Sequence, residues 1–254
     1  MDKLNTNSKD IIKNIKQATG ESPDIVYREL KIFKKQVIYL VYSQALGDSN
    51  KINDFILKSI TTDIKRNNLA SLKEILELFK NTIPNASLNT INNYNDLFFF
   101  LYSGFALIII DGYDEIIVFE GKAALDRGVQ ETTVEPITSG PRDGLTEDFY
   151  KNIGLIRKRL RDKSLWLKEY IIGEKSNTRV GLLYINGLAD EKLVNYLKNK
   201  LDSINIDGIV DTSQLGELLI KTTKSTFPLT FRTERPDLIS IHLLKGKIII
   251  TIDN

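Results

Sequence analysis

Four carboxylates lie around a short polar turn and could in principle do acid–base chemistry. Asp111, Asp114, Glu115 and Glu120 follow or flank an apolar run, and paired carboxylates act as general acid and base when their surroundings separate their pKa values. Asp-Gly is also the commonest hairpin turn. Because a matching apolar run later in the chain ends in Asp253-Asn254, turn chemistry explains both occurrences, and we favour the structural interpretation.

Composition excludes several other chemistries. The 254 residues contain no cysteine and one histidine, His242, so thiol nucleophiles, thiolate metal sites and schemes with two histidines are ruled out. Neither a phosphate-binding glycine loop nor a Gly-x-Ser-x-Gly elbow is present. We therefore predict that the chain is not an enzyme and carries no cofactor or metal. His242 lies in an apolar segment and is expected to be a packed helix residue.

The basic stretch "SGPRDGLTEDFYKNIGLIRKRLRD", residues 139–162, suggests three alternatives: a nucleic-acid grip, part of an active site, or a structural joint that a partner recognises. A core-facing stripe of Phe149, Ile153, Ile156 and Leu160 predicts an amphipathic helix. The basic side chains are then expected on a solvated face near the negative end of the helix dipole. With 35 basic and 33 acidic residues, the chain lacks the wide basic footprint of a nucleic-acid binder.

An internal repeat organises the chain. "SKDIIKNI" at 8–15 matches "TEDFYKNI" at 146–153, with Ser8 and Thr146 as candidate N-caps. Each copy continues with two extended runs that close in Leu-small-Asp, at Asp48 and at Asp190, and each of these aspartates precedes a segment with apolar residues at helical spacing. The helical positions are Ile52, Phe55, Ile56 and Ile60 in the first copy, and Leu193, Tyr196, Leu197 and Leu201 in the second.

The last matched pair completes each copy with a short helix and a strand. Asp96 and Asp237 are expected to cap the helices, and Gly104 and Gly246 to end them. The first copy then adds "YDEIIVFE", whereas the second stops at Asn254. An unpaired strand edge is unusual in natural domains, so we expect that the parent protein continues past Asn254.

These matches predict an α/β fold of two lobes from an internal duplication. Each lobe is expected to be a mixed β-sheet flanked by α-helices, with a cleft between the lobes. The predicted boundaries are 1–120 for the first lobe, 121–145 for the connector and 146–254 for the second lobe. The polar N-terminus lacks an export signal, and the apolar run at 97–110 is shorter than the roughly 20 residues of a membrane span, so a soluble fragment is expected.

Three segments resemble the A subunit of GerA-type spore germinant receptors: the stretch at 139–162, "VGLLYINGLAD" and "ERPDLISIHLLKGKIIITIDN". The resemblance covers most of the chain from about Asp24 onward. It implies a soluble N-terminal domain on the cytoplasmic (core) side, attached in the parent to a domain in the spore inner membrane. It also implies B and C receptor subunits as partners and small nutrients such as amino acids, sugars or ions as germinants, with no nucleic acid.

From the architecture and the resemblance together we expect an interaction and signalling domain. The alternative is direct germinant binding in the cleft between the lobes, a common ligand location; an independent hydrolase lacks its residues. Arg142 is expected to bond across the joint, where Asp143 and Gly144 set the turn into Thr146 and Gly144 could take a positive φ. An ordinary solvated turn is the other interpretation. The candidate site residues are Gly140, Pro141, Arg142, Asp143, Gly144, Glu147, Asn152, Arg157 and Arg159.

Overall fold

The computed structural model describes residues 3–31, 37–54, 74, 77, 88–124, 143–209, 211–220 and 229–253. The chain divides into two compact units. The first unit comprises Met1–Leu125 with Arg161–Lys163, and the second comprises Asp126–Leu160 with Ser164–Asn254. In the described part of the chain, no helix is long and apolar enough to cross a membrane.

The first unit contains a five-stranded antiparallel sheet with strand order β1-β2-β4-β5-β3. Its described elements are α1 (Ser8–Ala18), β1 (Ile25–Lys31), β2 (Val37–Ser43), α2 (Ser49–Ile52), β3 (Leu88–Ile91), α3 (Tyr94–Leu101), β4 (Phe105–Ile110) and β5 (Ile116–Glu120). α1 and α3 pack on one face of the sheet, where fully buried side chains such as Ile15, Leu101 and Val41 form the core.

The second unit contains a three-stranded antiparallel sheet with strand order β6-β7-β8. Its described elements are α4 (Phe149–Arg159), β6 (Leu165–Ile172), β7 (Thr178–Ile185), α5 (Glu191–Asp202), α6 (Thr212–Ile220), α7 (Pro236–Leu244) and β8 (Ile249–Ile252). α4 packs against α7, and α7 contacts β7. α5 contacts β6 and α6, enclosing a core that includes Val180, Leu182 and Val194.

The predicted α/β class is confirmed, with two antiparallel sheets; a mixed strand pairing was expected, but the described strands contain no parallel pair. The strand registers agree with the repeat. Ile38 pairs with Ile110 in the first unit, and the matched Val180 pairs with Ile252 in the second. The duplication itself stays a prediction.

The helices expected after Asp48 and Asp190 are present, and each aspartate caps its helix. Asp48 and Asp190 accept hydrogen bonds from the first backbone amides of α2 and α5. On α5, Leu201 is buried and Leu197 packs against the core, as predicted. Leu193 and Tyr196 are exposed, contrary to the prediction, and Val194 is buried. Ile52 is buried, and the other predicted positions of the first copy lie outside the described residues.

The four predicted caps are wrong. α1 and α4 are capped by Asn7 and Asp148 rather than by Ser8 and Thr146. α3 is capped by Asn93, with Asp96 in its first turn. α7 follows Arg235, which makes no side-chain cap bond, and Asp237 again lies in the first turn. Several polar residues cluster before each helix, and the backbone conformation, which the sequence does not display, decides which one caps.

The glycines that end α3 and α7 have the predicted role. Gly104 and Gly246 have φ values of 83° and 74°. A Cβ on Gly104 would lie 2.9 Å from the carbonyl oxygen of Leu46, and one on Gly246 would lie 2.9 Å from that of Leu188. Both positions therefore require glycine for its backbone conformation and for space.

Candidate interaction site

The nine candidate site residues fall into two groups. Gly140, Pro141 and Arg142 lie outside the described residues, so the bond predicted for Arg142 stays a prediction. The other six belong to the second unit, at the entry to α4 and along it.

Asn152 fixes the residues that enter α4. Its side-chain oxygen accepts hydrogen bonds from the backbone amide of Thr146 at 2.6 Å and from the Thr146 hydroxyl at 3.3 Å. Its side-chain nitrogen donates to the carbonyl oxygen of Thr146 at 2.6 Å. Because Asn152 is buried, one amide group satisfies both backbone polar groups of Thr146 away from water.

Arg159 holds Asp143, where the described residues of the connector resume. One terminal guanidinium nitrogen lies 2.5 Å and 2.6 Å from the two carboxylate oxygens of Asp143, and the other donates to the carbonyl oxygen of Leu155 at 2.8 Å. The arginine side chain is only 19% exposed, so this ion pair is less screened than a surface pair. Leu145 also donates its amide to the carbonyl oxygen of Glu234 at 2.7 Å. We call residues 143–146 the entry segment.

Arg157 corrects the expectation that the helix arginines lie on a solvated face. It is fully buried and donates to the carbonyl oxygen of Leu165 at 3.2 Å. Arg159 is largely buried, whereas Lys158 and Arg161 are exposed as expected. The carbonyl oxygen that Arg157 binds belongs to the first residue of β6, and α7 also packs alongside α4, so α4 is covered on more than the single face that the apolar stripe predicts.

The two remaining residues of the predicted site contribute less. Gly144 is buried but is not among the described glycines with positive φ, so the positive φ considered for it is wrong. Glu147 is exposed in the turn before α4.

The four carboxylates near the first hairpin do not converge on one another. Asp111 accepts hydrogen bonds at its Oδ1 atom from the Ser8 hydroxyl at 2.7 Å and from the Ser8 amide at 3.0 Å, which together lower the pKa of Asp111 below its usual range. Glu120 pairs with Lys122 at 2.9 Å, while Asp114 and Glu115 are exposed. Asp111 thus ties the end of β4 to the start of α1.

An apolar surface on the second unit was missed in the sequence. Ile241 and Leu244 on α7 are 46% and 59% exposed, Phe231 before the helix is 65% exposed, and Leu188 is 49% exposed. The Phe231 ring lies 5.4 Å from the ring of His242, and Leu188 adjoins Gly246 just beyond α7. We call Leu188, Phe231, Ile241 and Leu244 the α7 apolar surface.

The composition of α7 could have indicated this surface. Ser240 is buried and donates its hydroxyl to the carbonyl oxygen of Pro236, while larger apolar side chains face outward. A helix that is apolar on all sides is normally covered on all sides, and a cluster of exposed apolar side chains is typical of an interaction site. His242 is half-buried on the same helix, consistent with its expected packing role.

The matches to known proteins define the class of protein. The family model described as "Bacillus/Clostridium GerA spore germination protein" matches residues 13–254. The chain therefore belongs to the GerA family, and its resemblance to spore germinant receptor A subunits is confirmed.

Two curated relatives support the assignment to this family. Spore germination protein KA of Bacillus subtilis is 33% identical over 251 residues, covering 97% of this chain and 46% of that protein. Spore germination protein XA of Bacillus anthracis is 34% identical over 217 residues, covering 85% of this chain and 44% of that protein. The chain thus spans about half the length of these curated relatives.

A solved structure shows the same fold. The crystal structure of the N-terminal domain of the A subunit of the Bacillus megaterium spore germinant receptor GerK3 matches with a TM-score of 0.75 and 30% identity. The match covers 99% of this chain and 93% of that chain. The fold is therefore that of the N-terminal domain of a germinant receptor A subunit.

Proposed function

We propose that this chain is the N-terminal region of a germinant receptor A subunit and acts as a non-catalytic interaction and signalling domain. In this proposal it takes part in nutrient-triggered germination through contacts with the B and C subunits. The receptor would lie in the spore inner membrane, with this region on the core side. Family membership and the GerK3 domain fold support the proposal, and the α7 apolar surface is the observation that carries it.

The α7 apolar surface has the chemistry of a protein contact. Phe231, Ile241 and Leu244 keep roughly half or more of their side chains in water, and burying an apolar side chain of this size contributes on the order of 1.5–3 kcal/mol. Aromatic and aliphatic side chains of this kind form the central anchors of interfaces. A subunit that covers them would remove this apolar area from water.

The entry segment supplies a physical link from the connector to this surface. Arg159 and Asn152 fix Asp143 and Thr146 to α4, and the bond from Leu145 to Glu234 joins the segment to the residues just before α7. Displacement of the entry segment would therefore be transmitted to the start of α7 rather than absorbed locally. In the proposal this is how a change in the receptor alters the α7 contact.

The decisive experiment is a double substitution, Ile241→Ser with Leu244→Ser, in the complete receptor in spores. We expect weaker co-purification of the B and C subunits and a reduced germination response at normal A-subunit abundance. Leu193→Ser is the matched control, because Leu193 is 48% exposed on α5 of the same unit. An unchanged response and unchanged co-purification in the double variant would refute the α7 contact.

Arg159→Lys tests the link through the entry segment. A lysine keeps the charge but cannot hold the carboxylate of Asp143 and the carbonyl of Leu155 together. The proposal expects a weaker germination response with normal abundance, and Lys158→Ala, at an exposed neighbouring position, should behave as wild type. A thermal-shift screen of the isolated chain against amino acids, sugars and ions addresses direct germinant binding, since a nutrient-dependent rise in Tm would favour that alternative.

A further inference from the structure

The outer edge of β8 has no strand partner among the described residues. β8 pairs with β7 through residues 249–252, and the described sheet of the second unit ends there. Open strand edges expose unpaired amides and carbonyls, and natural proteins usually cover or disrupt them. β8, with the sequence Ile-Ile-Thr-Ile, has none of the charged or proline residues that commonly protect an edge.

The matching strand of the first unit is covered at the same edge. β4 pairs with β2 in the register that β8 uses with β7, and its other edge pairs with β5 from Phe105↔Glu120 to Ile109↔Ile116. The hairpin between β4 and β5 turns at Gly112, whose φ is 88°. The second unit thus repeats β4 but, in its described part, not β5.

The strand pairing shows which backbone amides of β8 point outward from the sheet. Asp253 donates its amide to the carbonyl oxygen of Arg179 on β7 at 2.9 Å, as Asp111 does to Val37 on β2. Because successive amides of a strand point to opposite sides, the amides of Ile250 and Ile252 point away from β7. The first-unit counterpart of Ile250 is Ile108, which pairs with Ile117 of β5.

We propose that the outer edge of β8 is a strand-acceptor site. Its occupant is an antiparallel apolar strand from the same polypeptide, in a part of the subunit outside residues 1–254. The chemistry of the occupant follows from β5, whose Ile-Ile-Val-Phe sequence fills the matching position. Curated relatives are about twice as long as this chain, which leaves ample polypeptide to supply such a strand.

This inference rests on the proposed function only in taking the chain to be the N-terminal part of a longer subunit. It does not depend on the α7 apolar surface. Loss of the α7 contact and loss of the β8 pairing would therefore appear in different experiments, one in subunit co-purification and the other in amide exchange.

The test compares amide hydrogen exchange in the 254-residue chain and in the full-length subunit. In the longer protein, the peptide that contains Ile250 and Ile252 should exchange at least about tenfold more slowly, because pairing protects amides that are otherwise open to water. The peptide of β4 that contains Ile108 serves as the internal control and should exchange equally slowly in both. Equal exchange of the β8 peptide in the two proteins would overturn the proposal, as would strong protection already in the shorter chain.

A proline at Ile250 gives a second readout. Proline is tolerated at an edge position whose amide faces solvent, but not where that amide pairs with a strand. Ile250→Pro should therefore lower the Tm of the full-length subunit more than that of the 254-residue chain, whereas Ile108→Pro should lower both. An equal effect of Ile250→Pro in the two proteins would count against a strand at this edge.

Discussion

Matched positions of the two units pack in the same strand register but with different side chains. In the first unit, Glu29 of β1 accepts a hydrogen bond at 3.0 Å from Tyr39, its cross-strand partner on β2. In the second unit, the matched Glu169 of β6 faces Gly181 on β7. Glu169 instead accepts hydrogen bonds at 2.9 Å from Tyr150 of α4 and from Arg179 of β7, so the tyrosine that binds the matched carboxylate comes from a different element.

The sizes of two matched side chains also differ between the units, in opposite directions. The first unit has Ile11 on the helix and Tyr39 on the strand, and both are buried. The second has Phe149 on the helix, and a Cβ on Gly181 would lie 2.8 Å from the Cζ atom of that ring. The strand register is the same in both units, and the large side chain has moved from strand to helix. Backbone pairing therefore constrains these positions more tightly than side-chain identity does.

The largest expected effect comes from placing the first unit's residue in the second. Gly181→Tyr should destabilise the second unit by about 3 kcal/mol, because the new side chain must displace the Phe149 ring and the Thr251 methyl group. Adding Phe149→Ile should restore at least half of the lost stability if the two positions form an interchangeable pair. Chemical denaturation of the single and double variants measures this. A double variant as unstable as Gly181→Tyr alone would break the comparison.

Matched isoleucines on the first helix of each unit should show similar large effects. Ile15 and Ile153 are both fully buried, so replacing either by alanine should cost about 2–5 kcal/mol. Thermal or denaturant unfolding provides the measurement, with the exposed Lys158→Ala as a control expected to change stability by less than about 0.5 kcal/mol. If only one of the two alanine substitutions lowered the unfolding free energy by this amount, the helices would not be equivalent.

Alanine substitutions at the glycines that follow α3 and α7 test whether the two units share the same backbone conformation at matched positions. Gly104→Ala and Gly246→Ala should each cost about 1–2 kcal/mol for the left-handed conformation and more for the approach of a leucine carbonyl oxygen. Gly112→Ala and Gly187→Ala are the controls, since both have positive φ but open space around the missing Cβ. Equal Tm losses in tests and controls would show that the carbonyl contact is unimportant.

The smallest effect concerns acid stability in the first unit. Hydrogen bonds from the Ser8 hydroxyl and amide lower the pKa of Asp111. As pH falls, Asp111 is therefore protonated in the unfolded chain before it is protonated in the folded chain. The stability that Asp111 contributes is then present above its unfolded pKa of about 3.9 and is lost as pH falls through the lower folded value. Asp111→Asn should make the unfolding free energy less dependent on pH in this acid range. An unaltered dependence of unfolding free energy on pH would contradict the assignment.

The sequence predicted the features that depend on backbone periodicity. Alternating apolar runs, the glycines Gly104 and Gly246 that end helices, and the helices that follow Asp48 and Asp190 are local patterns, and the structure has them where they were expected. β3 was missed because "LNTI" lies in an asparagine-rich stretch without the alternation of a strand. Its pairing with β5 is a tertiary effect.

The candidate site was predictable in its position but not in its contacts. The sequence motif located the entry segment and Asn152, Arg157 and Arg159, yet a helical stripe does not show that the start of β6 offers Arg157 a buried carbonyl oxygen. The α7 apolar surface was missed for the opposite reason, because apolar residues in a helix were taken to be buried. In both cases the burial depends on which elements pack side by side, which no local pattern records.

The contact between Gly181 and Phe149 also predicts a pattern of substitution across the GerA family. A β-carbon at position 181 fits only if the ring at position 149 becomes smaller or moves and the methyl group of Thr251, 2.9 Å away, also shifts. Relatives should therefore fall into two kinds, with glycine opposite an aromatic residue or a larger residue opposite an aliphatic one, and the mixed combination of two large residues should be rare. Aligned sequences alone can test this, since the two positions should change together.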